Sequence, residues 1–295
     1  MGRLACGFAP FFTGCAILLL SGPSLEAGET FRYRYGAGDT ISYSITIDSI
    51  VKLRKPNELA AMLGLENARN LVNVDIDLVV ESVSKDGRAS MQGIVKRANM
   101  QTIVGMNVYT EDGSSMGGMK PGTRYKFEVT PQGEISRFVG GDSITASQGQ
   151  QLIQRFFPVF PAAAIDIGYV WSDSQAFSLE LPGRGPTQIN SVVTYKYSGL
   201  QDLSEEASGG NLPKFTFDAE GNSETEPISL SGSGDVLFDR RAGRVVKNSG
   251  EFGINADMDL AAFGVPQDMS QRIPVHIQSK IEIGPPKNPD EKDVR

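Results

Sequence analysis

Leu71-Val-Asn-Val-Asp-Ile-Asp-Leu-Val-Val80, then Lys85-Asp-Gly87, then Arg88-Ala-Ser-Met-Gln-Gly-Ile-Val95 is the stretch that decides the fold. Apolar Val72, Val74, Ile76 and Leu78 alternate with Asn73, Asp75 and Asp77, a period of two that gives a strand one apolar and one polar face. The Lys-Asp-Gly segment between the two runs ends in a residue free to take positive φ, as a hairpin turn requires. The same unit recurs along the chain. Ile41, Tyr43, Ile45 and Ile47 share one face of a strand, and Tyr125, Phe127 and Val129 lead into Pro131-Gln-Gly133. Turns of the same kind are expected at Ala219-Glu-Gly221 and Arg241-Ala-Gly243.

Two segments break the alternation. Asn57 to Leu65 reads as a short helix with Asn57 as its N-cap. Residues 143–157 read as a longer one, carrying Leu152, Phe156 and Phe157 on adjacent turns and ended by Pro158 and Pro161. The fold class expected is therefore mainly β with some α: a large curved antiparallel sheet, or two related sheets, with one central helix on the concave side. That helix divides the chain into halves of about 38–140 and 165–284. They echo each other in Gly122–Phe138 against Gly234–Lys247, and in Asn73–Leu78 against Asn255–Leu260, so a duplicated β unit is one reading.

Before the first strand, Arg3 is followed by the apolar run Leu4–Leu20 and a polar stretch ending at Ala27, the order of a secretory signal peptide. The run is short of the roughly 20 residues of a membrane span and is interrupted by Gly7, Pro10 and Gly14, and its Cys15 precedes rather than follows the apolar core expected of a lipobox. Residues 1–27 are thus expected to be removed, leaving a single β-rich domain over 28–284, exported to the periplasm or beyond, without a membrane span. Pro-rich, charged 285–295 reads as a disordered tail. Both cysteines, Cys6 and Cys15, lie in the signal, which excludes disulfides, thiolate nucleophiles and cysteine metal ligands from the mature domain. A net charge of −7 and the lack of a basic, aromatic-interleaved cluster argue against nucleic acid.

The tyrosine-rich first strand (Tyr33, Tyr35, Tyr43), the Lys-Asp-Gly turn, and a helix followed by Gly168 and Trp171 resemble a family of exported bacterial β-rich proteins of unknown function. That family has an acidic residue between the glycine and the tryptophan, where this chain has Tyr169 and Val170. The resemblance implies export and a β fold, and it assigns no activity.

Catalytic constellations are scarce. His276 is the only histidine, too few for a typical zinc site, and it reads as a polar strand residue facing opposite to Val275 and Ile277. Ser49/Lys52 and Ser82/Lys85 have a nucleophile–lysine spacing that needs a helix, whereas both fall in strand-like segments. The pairs Asp75/Asp77 and Asp257/Asp259 could hold a hard cation or do acid–base work, or simply form the solvated face of a strand. No metal, cofactor or catalytic residue is expected. Methionines cluster between Met91 and Met119, and methionine suits adaptable apolar surfaces. The function expected is non-enzymatic binding of a lipid or apolar small molecule in a sheet–helix cavity lined by Leu152, Phe156, Phe157, Met106 and Met116. The 59–65 helix and the 106–119 loop would serve as its lid. The alternative is a structural module that docks an envelope protein.

Overall fold

In a computed structural model of the chain, the described residues are 28–111, 120–140, 143–179, 187–202, 210–263, 265–266, 268 and 271–286. Residues 1–27, read as a signal peptide, the segment with Met116 and Met119, and residues 287–295, read as a disordered tail, lie outside them. The elements are β1 (Thr40–Leu53), α1 (Glu58–Met62), β2 (Arg69–Val83), β3 (Ala89–Val104), β4 (Asn107–Glu111), β5 (Arg124–Val129), β6 (Ile135–Val139), α2 (Ser143–Gln154), β7 (Val170–Leu179), β8 (Thr187–Asp202), β9 (Asn211–Asn222), β10 (Ser229–Asp239), β11 (Arg244–Asp259), a 3-10 turn (Leu260–Phe263) and β12 (Arg272–Gly284).

The strands form one open antiparallel sheet in the order β6-β5-β3-β2-β1-β12-β11-β10-β9-β8-β7, with β4 beside the far part of β3. One sheet replaces the two-sheet alternative. The halves of the chain meet where β1 pairs with β12, Ile45 opposite Ile283 and Ile47 opposite Ile281. Period-two patterning decides the faces: Val72, Val74, Ile76, Leu78 and Val80 are buried on the inner side, while the residues between them stay partly accessible. Gly87, Gly133 and Gly243 take the positive φ expected of their turns. Gly221 does not make a turn. It lies inside β9, where a Cβ would press on the Ser191 Cβ at 3.0 Å, and the chain reverses after Asn222 instead.

The sheet is strongly curled, as hydrogen bonds from two adjacent residues show. Tyr33 N donates to Pro131 O in the β5–β6 turn (2.8 Å), and Arg34 N donates to Gly243 O in the β10–β11 turn (3.1 Å). In a flat sheet those turns would stand about six interstrand spacings apart, on the order of 30 Å. Residues 28–35 therefore strap together rims that the strand order places far apart. Phe31 and Tyr33 from the strap meet Phe160, Phe215 and Phe238 in a close-packed aromatic plug, with Phe31 and Phe215 edge-to-face at 4.9 Å.

Among the described residues there are two α-helices, at the two expected places, and both are short, so no single long helix covers the sheet. Asn57 caps α1 as expected, its Oδ1 accepting from Ala60 N at 2.9 Å. Ala60 and Leu65 are buried with Val51, Ile228, Met258 and Val275 in a second core cluster at the opposite end from the plug. α2 stops at Gln154, three residues before the expected Phe157. Its last turn tightens into i→i−3 bonds, Phe156 N to Ile153 O and Phe157 N to Gln154 O, because Pro158 has no N–H and drives the residue before it out of helical geometry. α2 touches both terminal strands, β6 and β7, and so sits at the seam of the curled sheet.

Candidate functional site

The α2 segment decides what is filled and what is left open. Ile153 and Phe156 point at the β1–β5 side: Phe156 stacks on Tyr43 at 4.7 Å, and the Ile153 methyl reaches the Gly93 position on β3. Leu152, Phe156 and Phe157, expected to line a cavity, are instead core residues at 6%, 0% and 4% exposure. The other side of the same turn, carrying Gln151, Gln154 and Arg155, faces the inner surface of β7–β12. A cleft of about 260 Å³ remains there.

The floor of this cleft is built by cross-strand register. One row across the sheet runs Tyr195, Phe217, Gly234, Gly250, Ile281, Ile47, and the next runs Val193, Ala219, Gly232, Phe252, Ser279, Ser49. The glycines make room for the rings. A Cβ at Gly234 would lie 2.6 Å from Phe217 Cζ and one at Gly250 2.8 Å from the same atom, so the Phe217 ring is in van der Waals contact with a glycine pair. Phe252 covers Gly232 in the same way. Large side chains at these glycines would fill the space now open above the sheet. Ser49 and Ser279 share a hydrogen bond at 2.8 Å on this face, while Lys52 projects to the other face and binds Gln278, the separation expected of a serine and a lysine three apart on a strand.

Among the described residues lining the cleft, Arg155 is the one that is charged. Its guanidinium lies over the Phe252 ring, 5.7 Å from the centroid, and its backbone carbonyl accepts from Asn248 Nδ2 at 2.9 Å. It is exposed to the cleft yet crowded by surrounding protein, and this desolvation lowers its pKa from the ordinary value. Tyr195 on the floor has its pKa raised, by burial first and then by the Asp173 charge.

The remaining site residues of the sequence lie elsewhere. Met106 is fully exposed on the β3–β4 turn, away from the cleft, because Gly105 at φ 59° turns the chain there. Met116 lies outside the described residues. α1 belongs to the second core cluster. Asp75 pairs with Arg97 at 2.9 Å, Asp77 accepts from Ser42 Oγ at 2.7 Å, and Asp259 Oδ1 accepts from Ala261 N, all away from the cleft. His276 Nδ1 is bonded to Asn255 Oδ1 at 3.1 Å across β11–β12. Among the described residues, no three His, Cys, Asp or Glu side chains come together as a metal site would require, and no helix is long and apolar enough to cross a membrane.

The signal for the cleft was present in Ser231-Gly-Ser-Gly234 and in Gly250. Glycine at period two within a strand marks a close approach, not a turn.

No family model matches the sequence, and no curated protein matches it. Among solved structures the fold is similar to that of a lipovitellin chain, from a study of lipid–protein interactions in lipovitellin, with a TM-score of 0.46 and 10% identity. The match covers 89% of this chain and 27% of the lipovitellin chain, so this chain spans little more than a quarter of that protein's length. At that identity the likeness concerns the fold alone.

Proposed function

We propose that the chain is an exported, non-enzymatic protein of the cell envelope that holds a lipid or apolar small molecule between α2 and the β7–β12 half of the sheet. The observation that carries this reading is the 260 Å³ cleft with an aromatic and aliphatic floor. Protein interiors rarely leave voids much larger than a water molecule, and apolar cavities take apolar guests. The signal-like leader and the resemblance to exported β-rich proteins support export.

The test uses a neutral apolar probe, N-phenyl-1-naphthylamine, followed by its fluorescence, by native mass spectrometry and by thermal unfolding. A one-to-one complex is expected. At one hundred times the dissociation constant it should stabilise the fold by about 2.7 kcal/mol, a rise of several degrees in melting temperature. Leu230→Glu places a carboxylate on the partly exposed cleft floor and should weaken binding by at least about tenfold. A bare polypeptide at every probe concentration and an unmoved melting temperature would overturn the reading.

A second reading, docking of an envelope protein, draws on one observation. Ile167 (67% exposed) and Val170 (53%) present apolar surface at the start of β7, a terminal strand of the sheet. It gains ground only if the cleft proves empty and closed to the probe.

A further inference from the structure

An apolar cleft needs no cation, and a cation beside one is costly unless something offsets its desolvation. Arg155 is such a cation. Its guanidinium is held over Phe252, and among the described residues no carboxylate forms a salt bridge with it. Elsewhere in this acidic chain, Arg69, Arg97, Arg137 and Arg240 each hold a carboxylate. The cation–π contact satisfies one face of the guanidinium and leaves its N–H edges available, the geometry in which arginine binds a planar anion through two hydrogen bonds. Around it the polar lining consists of neutral amides and hydroxyls: Gln151, Gln154, Asn248 and Ser279. Gln175, Ser191 and Tyr195 add polar groups on the β7–β8 side, with Gln175 bonded to Asp173 at 2.9 Å, and between the two sides the surface is apolar, with Ile47, Val193, Phe217, Ile254 and Ile281. One side of the cleft is therefore suited to an anion and the surface between to hydrocarbon.

Size narrows the class further. At 260 Å³ the cleft lies just below the roughly 300–1,000 Å³ of pockets that take drug-sized ligands. That is too small for the two chains of a phospholipid, and a single long chain lies in it with part of its length outside. Resting on the proposed apolar-ligand function, we infer that the cleft selects a single-chain amphiphile with an anionic head, the head bound by Arg155 and the chain laid on the Phe217–Ile281 floor.

The experiment compares hexadecanoate with 1-hexadecanol at pH 8, two probes with the same chain and different heads, on the full mature chain. Trp171 is the only tryptophan and stacks on the cleft residue Tyr195 at 5.4 Å, so its emission reports occupancy directly. Calorimetry gives the affinities. The wild type should prefer hexadecanoate by roughly tenfold or more, the scale of a hydrogen bond to a charged group. Arg155→Gln should bring the ratio of the two affinities close to one, and Arg155→Lys, which keeps the charge and loses the fork, should retain part of it. Circular dichroism melts of each variant separate loss of fold from loss of selectivity. Binding of the alcohol with no preference for the acid overturns the inference and leaves the apolar-ligand function standing. An Arg155→Gln variant that weakens both probes equally assigns the residue to structure and also overturns it. If neither probe binds, both readings fall.

Discussion

The glycines under Phe217 show how single residues shape the cleft. Gly250 lies within a strand, where alanine would ordinarily gain about 0.5–1 kcal/mol over glycine. Here a Cβ would lie 2.8 Å from Phe217 Cζ and 3.0 Å from the Ser233 carbonyl oxygen. The ring cannot yield downward, because Gly234 is already packed beneath it, and the second neighbour is backbone. Overpacking of this kind costs about 1–3 kcal/mol, so the steric effect wins. Gly250→Ala is expected to lower the melting temperature by several degrees and to weaken binding of the neutral probe, and a variant as stable as the wild type would show that the ring shifts freely. Individual residues were legible in the sequence where their role is local. The Asn57 cap and the glycines of the β2–β3, β5–β6 and β10–β11 turns act through neighbours a few positions away. Arg155 and the strand glycines act through partners on other strands, and no pattern within their own segments marks them.

At the level of elements, α2 is positioned by a small residue of its own. Gly149 rests on the Tyr125 ring, where a Cβ would come within 2.6 Å of Cζ. Alanine would improve helix propensity by about 1 kcal/mol, but the contact is with a fully buried ring in β5 that has nowhere to go. Gly149→Ala should therefore be net destabilising by about 1–2 kcal/mol, measured by urea unfolding. Stabilisation instead would mean that α2 can lift from β5. The alternation of apolar and polar residues made the strands legible, and the paired phenylalanines made α2 legible. Which side of the α2 segment would be buried was not: Leu152, Phe156 and Phe157, read as lining a cavity under a helix that covers the sheet incompletely, are large apolar side chains and fill the core. The cleft falls to the polar side of the same turn.

Across the whole molecule, the buried tyrosines set a pH limit. Tyr33 donates to Pro158 O and Tyr43 to Val245 O, bonds that need the phenolic proton, and burial raises the pKa of both and of Tyr35 and Tyr195 above the ordinary 10.0. The unfolded chain loses these protons near pH 10 while the folded one keeps them, so the unfolded state binds fewer protons and stability falls as pH rises. Their contribution is whole below about pH 10 and is lost above it, by up to about 1.4 kcal/mol per pH unit for each tyrosine. Urea unfolding at pH 8 and at pH 10.5 should give clearly different midpoints, and equal midpoints would place these phenols in contact with water. The strand order was the least legible part of the fold, because β1 and β12 pair across almost the full length of the domain and nothing in either strand names the other. That pairing has a consequence for how the protein is made. Synthesis delivers β1 first and β12 last, so the inner edge of β1 waits without its partner until nearly all of the domain has been translated. A nonsense codon anywhere between Leu53 and Arg272 would leave that edge open for good, with the backbone of Ser44 to Leu53 presented to whatever strand arrives next. Quality control in the compartment where the chain folds must therefore guard one particular edge for most of the time the molecule takes to appear.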